Sequence, residues 1–238
     1  MSIGDAEIKT QERVIRFFKD PEILGYQYIG NLSDYQNKNI KEDRLRQYLR
    51  LKGYADKLID AAIMQLQQEA GNLSRGVYDA NKTVYSRLKY GIPVSESPEK
   101  SPVTVELIDE ANPLNNDFAI AEEVTVVEQS EKRPDLVVYL NGIAVAVIEL
   151  KRSGVSVSEG IRQNLTNQKN SFIQSFFTTI QFCMAGNESE GLRYGTLLTG
   201  EKFYMEWKDD GFKEHEEERD PVDVRISKTC EGIENKLL

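Results

Sequence analysis

Residues 136–150, LVVYLNGIAVAVIEL, constrain the fold of this chain more than any other stretch. An Asn-Gly pair separates two runs of aliphatic and β-branched residues, which is the strongest short-range signal for a β-hairpin. A hairpin this apolar is expected to be buried, yet Asp135 precedes its first strand, and Glu149 and Lys151 follow at the end of its second. Charged side chains at such positions need either a compensating partner or a chemical role.

The three charges meet only in some registers of the hairpin. A two-residue loop pairs Leu140 with Ile143 and, in regular strands, places Asp135 and Glu149 on opposite faces. A three-residue loop places both carboxylates on one face, with their Cα atoms about 7–8 Å apart. Lys151 follows Glu149 by the strand period of two and shares its face. The sequence therefore predicts the three-residue loop, or an equivalent bulge.

Two carboxylates beside an ammonium group are suited to metal-assisted hydrolysis. Mg²⁺ is typically held by one or two carboxylates together with waters and phosphate oxygens. The metal lowers the pKa of a bound water and neutralises charge in the transition state, and a neighbouring lysine can orient or deprotonate that water. The structural alternative is that Asp135 caps a turn and that Glu149 and Lys151 mark an exposed strand end. The bare D-x13-E-x-K spacing is a weak signal, and the apolar hairpin strengthens it.

The rest of the chain predicts helices first and strands afterwards. Apolar residues recur with the helical period over residues 6–20, 42–54, 55–72 and 80–91, and a proline- and serine-rich loop follows. Strands are predicted over residues 103–109, 117–127, 179–186, 193–200 and 202–207 in addition to the hairpin. A helix over residues 158–177, with Ser158 as its N-cap, separates the hairpin from the later strands. This order indicates an α/β fold on a mixed sheet.

Several chemical classes are excluded by composition. The chain has a single histidine, His215, and two cysteines, Cys183 and Cys230, so a multi-histidine zinc site and a disulfide framework are not expected. It has no GxxxxGK[ST] and no GxGxxG motif. No apolar run is long enough for a membrane helix and the N-terminus has no signal pattern, so a cytoplasmic protein without a membrane partner is expected. The formal net charge of -9 argues against a free-standing DNA-coating protein, but it is compatible with a nuclease module within a larger machine.

Two segments of the hairpin resemble a known enzyme core. "RPD" and "VIELK" are similar to the PD-(D/E)xK nuclease core, with Asp135, Glu149 and Lys151 at its three defining positions. "NPLNNDFAIAEEVTV" before the hairpin and "EGIRQNLTNQ" after it extend the resemblance to the N-terminal endonuclease domain of the type I restriction enzyme motor subunit (HsdR). The resemblance covers about residues 112 to 205. It implies a restriction-endonuclease-like core, a mixed β-sheet flanked by helices, preceded by a helical N-terminal region.

The resemblance assigns roles to the residues of the hairpin. Asp135 and Glu149 are the implied metal ligands, assisted by the backbone carbonyl of Leu150. Lys151 is the implied catalytic lysine. The implied cofactor is Mg²⁺, for which Mn²⁺ can substitute.

The resemblance also implies roles for the helices on either side. The family's later helix carries a glutamine followed four residues on by a tyrosine, and these residues steady the site and contact DNA. Gln163 matches the glutamine and is assigned to the catalytic set, but Asn167 stands at the tyrosine position and lacks an aromatic ring. Glu12 is the candidate for a further metal ligand on the first helix.

Basic residues around the hairpin are candidates for phosphate contacts. Four of them are assigned to DNA binding, with ordinary surface charge as the alternative: Arg133, Arg152, Arg162 and Lys169.

The resemblance finally implies the context in which the chain acts. It predicts an endonuclease domain over residues 1–208, with a helical part at 1–92 and a nuclease core at about 103–208, and an acidic segment at 209–238 that leads toward motor domains. The expected substrate is double-stranded DNA, the expected partners are methyltransferase and specificity subunits, and ATP belongs to the motor domains. Two alternatives remain: a stand-alone nuclease of the same fold in DNA repair or defence, and a non-catalytic adaptor.

Overall fold

A mixed seven-stranded sheet forms the centre of the protein, and helices lie on both of its faces. The computed structural model describes residues 3–97 and 99–206, so the acidic segment at 209–238, with His215 and Cys230, lies outside the described residues. The helices are α1 Ile3–Lys19, α2 Glu42–Leu51, α3 Asp56–Gly71, α4 Val77–Tyr90 and α5 Val157–Asn167. The strands are β1 Gln27–Asn31, β2 Ile92–Val94, β3 Val103–Val105, β4 Phe118–Glu122, β5 Val126–Val127, β6 Glu131–Lys132, β7 Leu136–Leu140, β8 Ile143–Leu150, β9 Phe182–Asn187, β10 Gly191–Gly195 and β11 Met205–Glu206.

The order of strands places the apolar hairpin at the middle of the sheet. The order is β1-β4-β7-β8-β9-β10-β11, and β2–β3 and β5–β6 form two separate hairpins. β1 is parallel to β4, β8 is parallel to β9, and the other neighbours in the main sheet are antiparallel. Helix α5 connects the parallel strands β8 and β9, because a parallel pair needs a crossover. The prediction of an α/β fold on a mixed sheet is confirmed.

The sheet is buried on both faces, which explains why β7 and β8 are apolar at nearly every position. One face packs against the buried sides of α1, α2, α3 and α4 in a continuous apolar cluster. The other face is covered by α5 and by the 3₁₀ segment Gln174–Thr178. The helical N-terminal region therefore shares a hydrophobic core with the sheet.

The four N-terminal helices follow the apolar periodicity of the sequence. Helix α3 buries Leu58, Ala62 and Leu66, which lie on one side because they are separated by four residues. Helix α2 ends before Gly53, whose φ of +86° favours glycine over other residues. None of the helices in residues 3–97 and 99–206 has the length and apolarity needed to cross a bilayer.

Three local predictions are wrong. Strand β1 lies in a region predicted to be helical, because it pairs with β4 and because Tyr26 stacks on Phe118 with ring centroids 5.0 Å apart. Helix α5 ends at Asn167 instead of continuing to residue 177. Its N-cap is Ser156 and not the predicted Ser158, because the Oγ of Ser156 accepts a hydrogen bond from the backbone N–H of Ser158.

Candidate functional site

The β7–β8 hairpin has a two-residue loop. Asn141 and Gly142 have φ values of +50° and +84°, and Leu140 pairs with Ile143. Both central residues of a type I′ turn have positive φ, which is the reason for the Asn-Gly preference. The predicted three-residue loop is therefore wrong.

A β-bulge in β8 has the effect expected of that longer loop. Tyr139 pairs with Ala144, but Val138 pairs with Ala146, so Val145 is an extra residue in β8. Beyond the bulge, each residue of β7 pairs with the β8 residue one position later than it would in a regular hairpin with a two-residue loop. Continued by one position, this register places Asp135 opposite Glu149 and on the same face. The alternative prediction, an equivalent bulge, is confirmed.

The hairpin turn is held by buried contacts with the start of α2 and with the segment that leads into β4. Asn141 has no exposed surface, and its Nδ2 donates to the Leu107 carbonyl at 2.8 Å, while its Oδ1 accepts from the Asp117 N–H at 2.7 Å. A Cβ on Gly142 would lie 2.7 Å from the carbonyl oxygen of Lys41, at the start of α2. The turn is thus fixed in space, and the register of the strands that carry the charges is fixed with it.

The polar atoms of the predicted metal site converge at the other end of this hairpin. Asp135 Oδ2 accepts a hydrogen bond from the Leu150 N–H at 2.6 Å, and the Leu150 carbonyl accepts one from Lys151 Nζ at 3.0 Å. The backbone N–H of Lys151 donates to the Gly186 carbonyl at 2.8 Å, which connects the end of β8 to β9. The carboxylate of Asp135, the Leu150 carbonyl and the Lys151 ammonium are therefore neighbours.

Glu149 is buried between the sheet and helix α5. Glu149 is 0% exposed. A Cβ added to Gly160 would lie 3.5 Å from Glu149 Cβ and 3.0 Å from Ala185 Cβ. Glycine at position 160 thus allows α5 to approach β8 closely at Glu149. Burial, reinforced by the nearby charge of Glu149, raises the pKa of the Cys183 thiol and keeps that thiol neutral.

The two amide positions of the helix motif have different environments. Gln163 is half-buried on α5, three residues after Gly160. Asn167 is 1% exposed and faces the interior of the protein, so it does not reach a surface on which DNA can bind. The predicted role of Gln163 remains a prediction.

Glu12 is exposed on α1, beside an open pocket that Arg16, Lys19 and Glu122 also line. Among residues 3–97 and 99–206, no three His, Cys, Asp or Glu side chains form a group that could hold a metal ion. Glu12 is therefore not brought together with Asp135 and Glu149 in such a group, and its role as a ligand stays a prediction.

The four basic candidates for phosphate contacts fall into two sets. Arg133 Nε lies 2.7 Å from Glu123 Oε2, and Arg162 forms ion pairs of 2.8 Å with both Glu159 and Glu201. The hydrogen bonds with Glu201 raise the pKa of Arg162 above its ordinary value. To contact DNA, each of the two arginines would have to exchange a carboxylate partner for a phosphate. The other set consists of Arg152, which is half-buried, and Lys169, which is exposed.

Glu122 is a further acidic residue near this end of the sheet, and sequence reasoning did not select it. Its carboxylate accepts hydrogen bonds from Gln11 Nε2 at 3.0 Å and from the Tyr28 hydroxyl at 2.7 Å. Burial and the hydrogen bond with Glu122 raise the pKa of Tyr28 to about 12. The neighbouring Glu123 N–H donates to the Asp135 carbonyl at 2.8 Å. The signal in the sequence was a pair of glutamates directly after the apolar strand "FAIA".

The donor set fits a hard divalent cation. Two carboxylates on adjacent strands and one backbone carbonyl are oxygen ligands of the kind that Mg²⁺ takes, and waters and phosphate oxygens normally complete its coordination. The fold defines a class of protein: an α/β domain with the restriction-endonuclease-like fold. Its residues Asp135, Glu149 and Lys151 match the PD-(D/E)xK motif in sequence.

Comparison with known proteins identifies the family. The family model described as the type I restriction enzyme R protein N terminus matches residues 7–203, and the chain belongs to this family.

The curated relatives found by comparison have the same designation. The chain is 25% identical over 140 residues to the endonuclease subunit of a type I restriction enzyme of Staphylococcus saprophyticus, a match that covers 57% of this chain and 14% of the relative. It is 29% identical over 137 residues to a putative type I restriction enzyme endonuclease subunit of Methanocaldococcus jannaschii, covering 53% of this chain and 13% of the relative. The matched segments therefore span only a small part of the relatives' length. The sequence resemblance to the R subunit family is confirmed.

Proposed function

We propose that this chain is the Mg²⁺-dependent endonuclease domain of a type I restriction enzyme R subunit and hydrolyses phosphodiester bonds of double-stranded DNA. The observation that supports the proposal is the bulged register of β7 and β8, because its continuation by one position puts Asp135 opposite Glu149. Lys151 follows Glu149 by two residues, and its Nζ lies 3.0 Å from the Leu150 carbonyl. Within a full-length protein, ATP-driven motor domains would translocate DNA, and methyltransferase and specificity subunits would choose the target, in the cytoplasm.

Each residue of the site has a separate task in this proposal. Asp135, Glu149 and the Leu150 carbonyl would hold the metal, whose chemistry when bound is to lower the pKa of a water and to neutralise charge on the phosphate. The Leu150 N–H fixes the Asp135 carboxylate, and the close approach of Gly160 fixes the position of Glu149. Lys151 would orient the attacking water or stabilise the phosphate oxygens, because its ammonium group already lies 3.0 Å from the carbonyl of Leu150.

Metal binding to the isolated chain tests the site directly. Titration with Mn²⁺ or Mg²⁺ in a calorimeter should show one saturable site, and Asp135→Ala and Glu149→Ala should each weaken it at least about tenfold because each removes a ligand. Glu42→Gln is a matched control, since this glutamate lies on α2 in an ion pair with Arg46. Glu12→Gln, tested in parallel, decides whether Glu12 is a further ligand.

Lys151→Ala separates metal binding from chemistry. This variant should retain the metal, and in the full restriction complex it should cut DNA about 10²–10⁴ times more slowly, as expected for the loss of a proton-transfer group. Equal metal affinity in the parent and in both carboxylate variants would contradict the proposed site. Normal restriction by a complex carrying Glu149→Ala would instead support a non-catalytic adaptor.

A further inference from the structure

Helix α4 carries a stripe of alternating aromatic and basic side chains on its exposed side. Tyr78, Lys82, Tyr85 and Lys89 are separated by four, three and four residues, which places them within a narrow arc of the helix. All four are exposed, and the two tyrosines retain 58% and 47% of their accessible surface. The buried residues of α4, which include Val84 and Leu88, lie on a different side. The stripe is therefore not needed for packing of the helix.

The lysines of this stripe form no ion pair with any described residue, unlike many of the arginines. Many arginines elsewhere are paired with carboxylates, including Arg87 on α4 itself, which contacts Glu69 at 2.8 Å. Lys82 forms no ion pair with any described residue. The same is true of Arg75, which lies just before α4 and lines the same cleft as Lys82. Lys89 has only a cation–π contact with Tyr90, at 5.6 Å, among the described residues. Asp79 lines the cleft with Lys82, and Glu110 lines a pocket with Lys89, but neither forms an ion pair with that lysine. In a chain of formal net charge -9, exposed lysines that form no ion pair with any described residue favour an anionic partner.

We propose that this α4 stripe is a second DNA-binding surface, which holds the sugar–phosphate backbone away from the candidate nuclease site. Lys82 and Lys89 are seven residues apart, about 10 Å along the helix, which is close to the advance of a DNA strand over three base pairs. Tyrosine hydroxyls donate to phosphates, and tyrosine rings stack on unpaired bases. Alternating lysine and tyrosine therefore suits a nucleic-acid backbone better than an acidic protein surface.

The stripe lies at the opposite end of the sheet from Asp135 and Glu149. Asn81 of α4 donates from Nδ2 to the carbonyls of Phe177, Thr178 and Ile180, which lead into the N-terminal end of β9. Glu149 instead pairs with Ala185, near the C-terminal end of β9 and about 16 Å further along the strand. The surface is thus separate from the site of the proposed chemistry, and it does not depend on that proposal.

Binding of a fluorescein-labelled duplex of about 20 base pairs, measured by anisotropy on the whole chain in EDTA, tests the surface. The double variant Lys82→Ala/Lys89→Ala should bind about tenfold more weakly at low salt, and its dependence on salt should fall by about one unit of slope per lysine. Lys38→Ala/Lys57→Ala is the matched control, because both lysines are exposed elsewhere and the change in net charge is the same. This control should bind as the parent does.

Substitutions of Tyr85 distinguish how the ring is used. If its hydroxyl contacts phosphate, Tyr85→Phe should weaken duplex binding as much as Tyr85→Ala does. If its ring stacks on unpaired bases, Tyr85→Phe should retain single-strand binding and Tyr85→Ala should lose it. Either result supports the proposal.

Three results would overturn it: a parent chain that binds no DNA at about 50 mM salt, a lysine variant that matches the parent in affinity and salt slope, or a stripe that mediates self-association instead. Sedimentation of the parent and the lysine variant detects the third. The test reads DNA binding in EDTA, whereas the nuclease proposal is read from metal binding by Asp135 and Glu149, so failure of the nuclease proposal and failure of this one are distinguishable.

Discussion

At the scale of single residues, the buried polar side chains Glu149 and Asn167 have different expected consequences. Glu149 is a carboxylate with no exposed surface, a position that costs several kcal/mol unless other interactions offset the lost hydration. Such residues concentrate at functional sites. Asn167, on the same side of the sheet, is also buried, and its side-chain amide has no hydrogen-bond partner in the described part of the chain.

Asn167 is therefore expected to cost stability. Asn167→Leu should raise the free energy of unfolding by about 1 kcal/mol, because it removes a buried polar group that lacks a partner. Urea denaturation of the parent and the variant measures this difference. Asn164→Leu, one turn earlier, is the matched control and should lower stability by about 1–2 kcal/mol, since Asn164 Nδ2 donates to the Met184 carbonyl at 2.7 Å. A loss of stability in Asn167→Leu would show that an internal water satisfies the amide.

At the scale of elements, the β7–β8 hairpin depends on its turn and its bulge together. The two-residue turn alone would direct Asp135 and Glu149 to opposite faces, and the bulge at Val145 corrects the register. The bulge is supported by the residue directly before β9, because the Val145 carbonyl accepts a hydrogen bond from the Gln181 N–H at 2.8 Å. A local feature of β8 thus sets the geometry of the candidate site.

Replacing the turn glycine should disturb this element. Gly142→Ala combines a positive φ, which costs about 1–3 kcal/mol for a residue with a Cβ, with contacts of 2.7 and 2.8 Å to backbone atoms of Lys41 and Leu45. We therefore expect a loss of at least about 2 kcal/mol in unfolding free energy, read from urea or thermal denaturation. Gly154→Ala is the control, because open space surrounds that position, and it should be close to neutral. Equal stability of the two variants would contradict the tight packing of the turn on α2.

At the scale of the whole molecule, polar contacts join the helical region to the segment that enters the sheet. The Nζ of Lys52, directly after α2, lies 2.7 Å from Asp109 Oδ2. Asn115 Nδ2 and the Asn112 N–H donate to the same carboxylate. These partners, with Lys52 first among them, hold the pKa of Asp109 well below its ordinary value. The contact connects two parts of the chain that also share a hydrophobic core.

This junction predicts a pH dependence of stability. A carboxyl group with a depressed folded-state pKa stabilises the fold above its unfolded pKa of about 3.9, and that contribution is lost as the pH falls toward the folded value. Asp109→Asn should therefore be less stable than the parent at pH 7, and the difference should shrink in acid. Urea midpoints of both proteins at neutral pH and at about pH 3 measure the change. Glu106→Gln, an exposed neighbour, is the control and should show no such convergence. A constant difference at both pH values would mean that the charge of Asp109 does not contribute.

Local sequence patterns determined much of this protein. The helical period located α2, α3 and α4, the Asn-Gly pair located the hairpin, and the spacing around "RPD" and "VIELK" selected Asp135, Glu149 and Lys151. These features depend on backbone and side-chain preferences over a few residues, so they can be read without knowledge of the fold.

Only the tertiary structure decided the features that depend on distant partners. Strand β1 exists because β4 is available to pair with it. Past α5 the chain forms a 3₁₀ segment held by Glu128, whose carboxylate accepts from the N–H groups of Ser175 and Phe176. The bulge at Val145, which brings the two carboxylates to one face, depends on pairing in the sheet as well as on the turn. In each case the deciding hydrogen bonds join residues far apart in the chain, and their energies are not encoded in any short stretch of sequence.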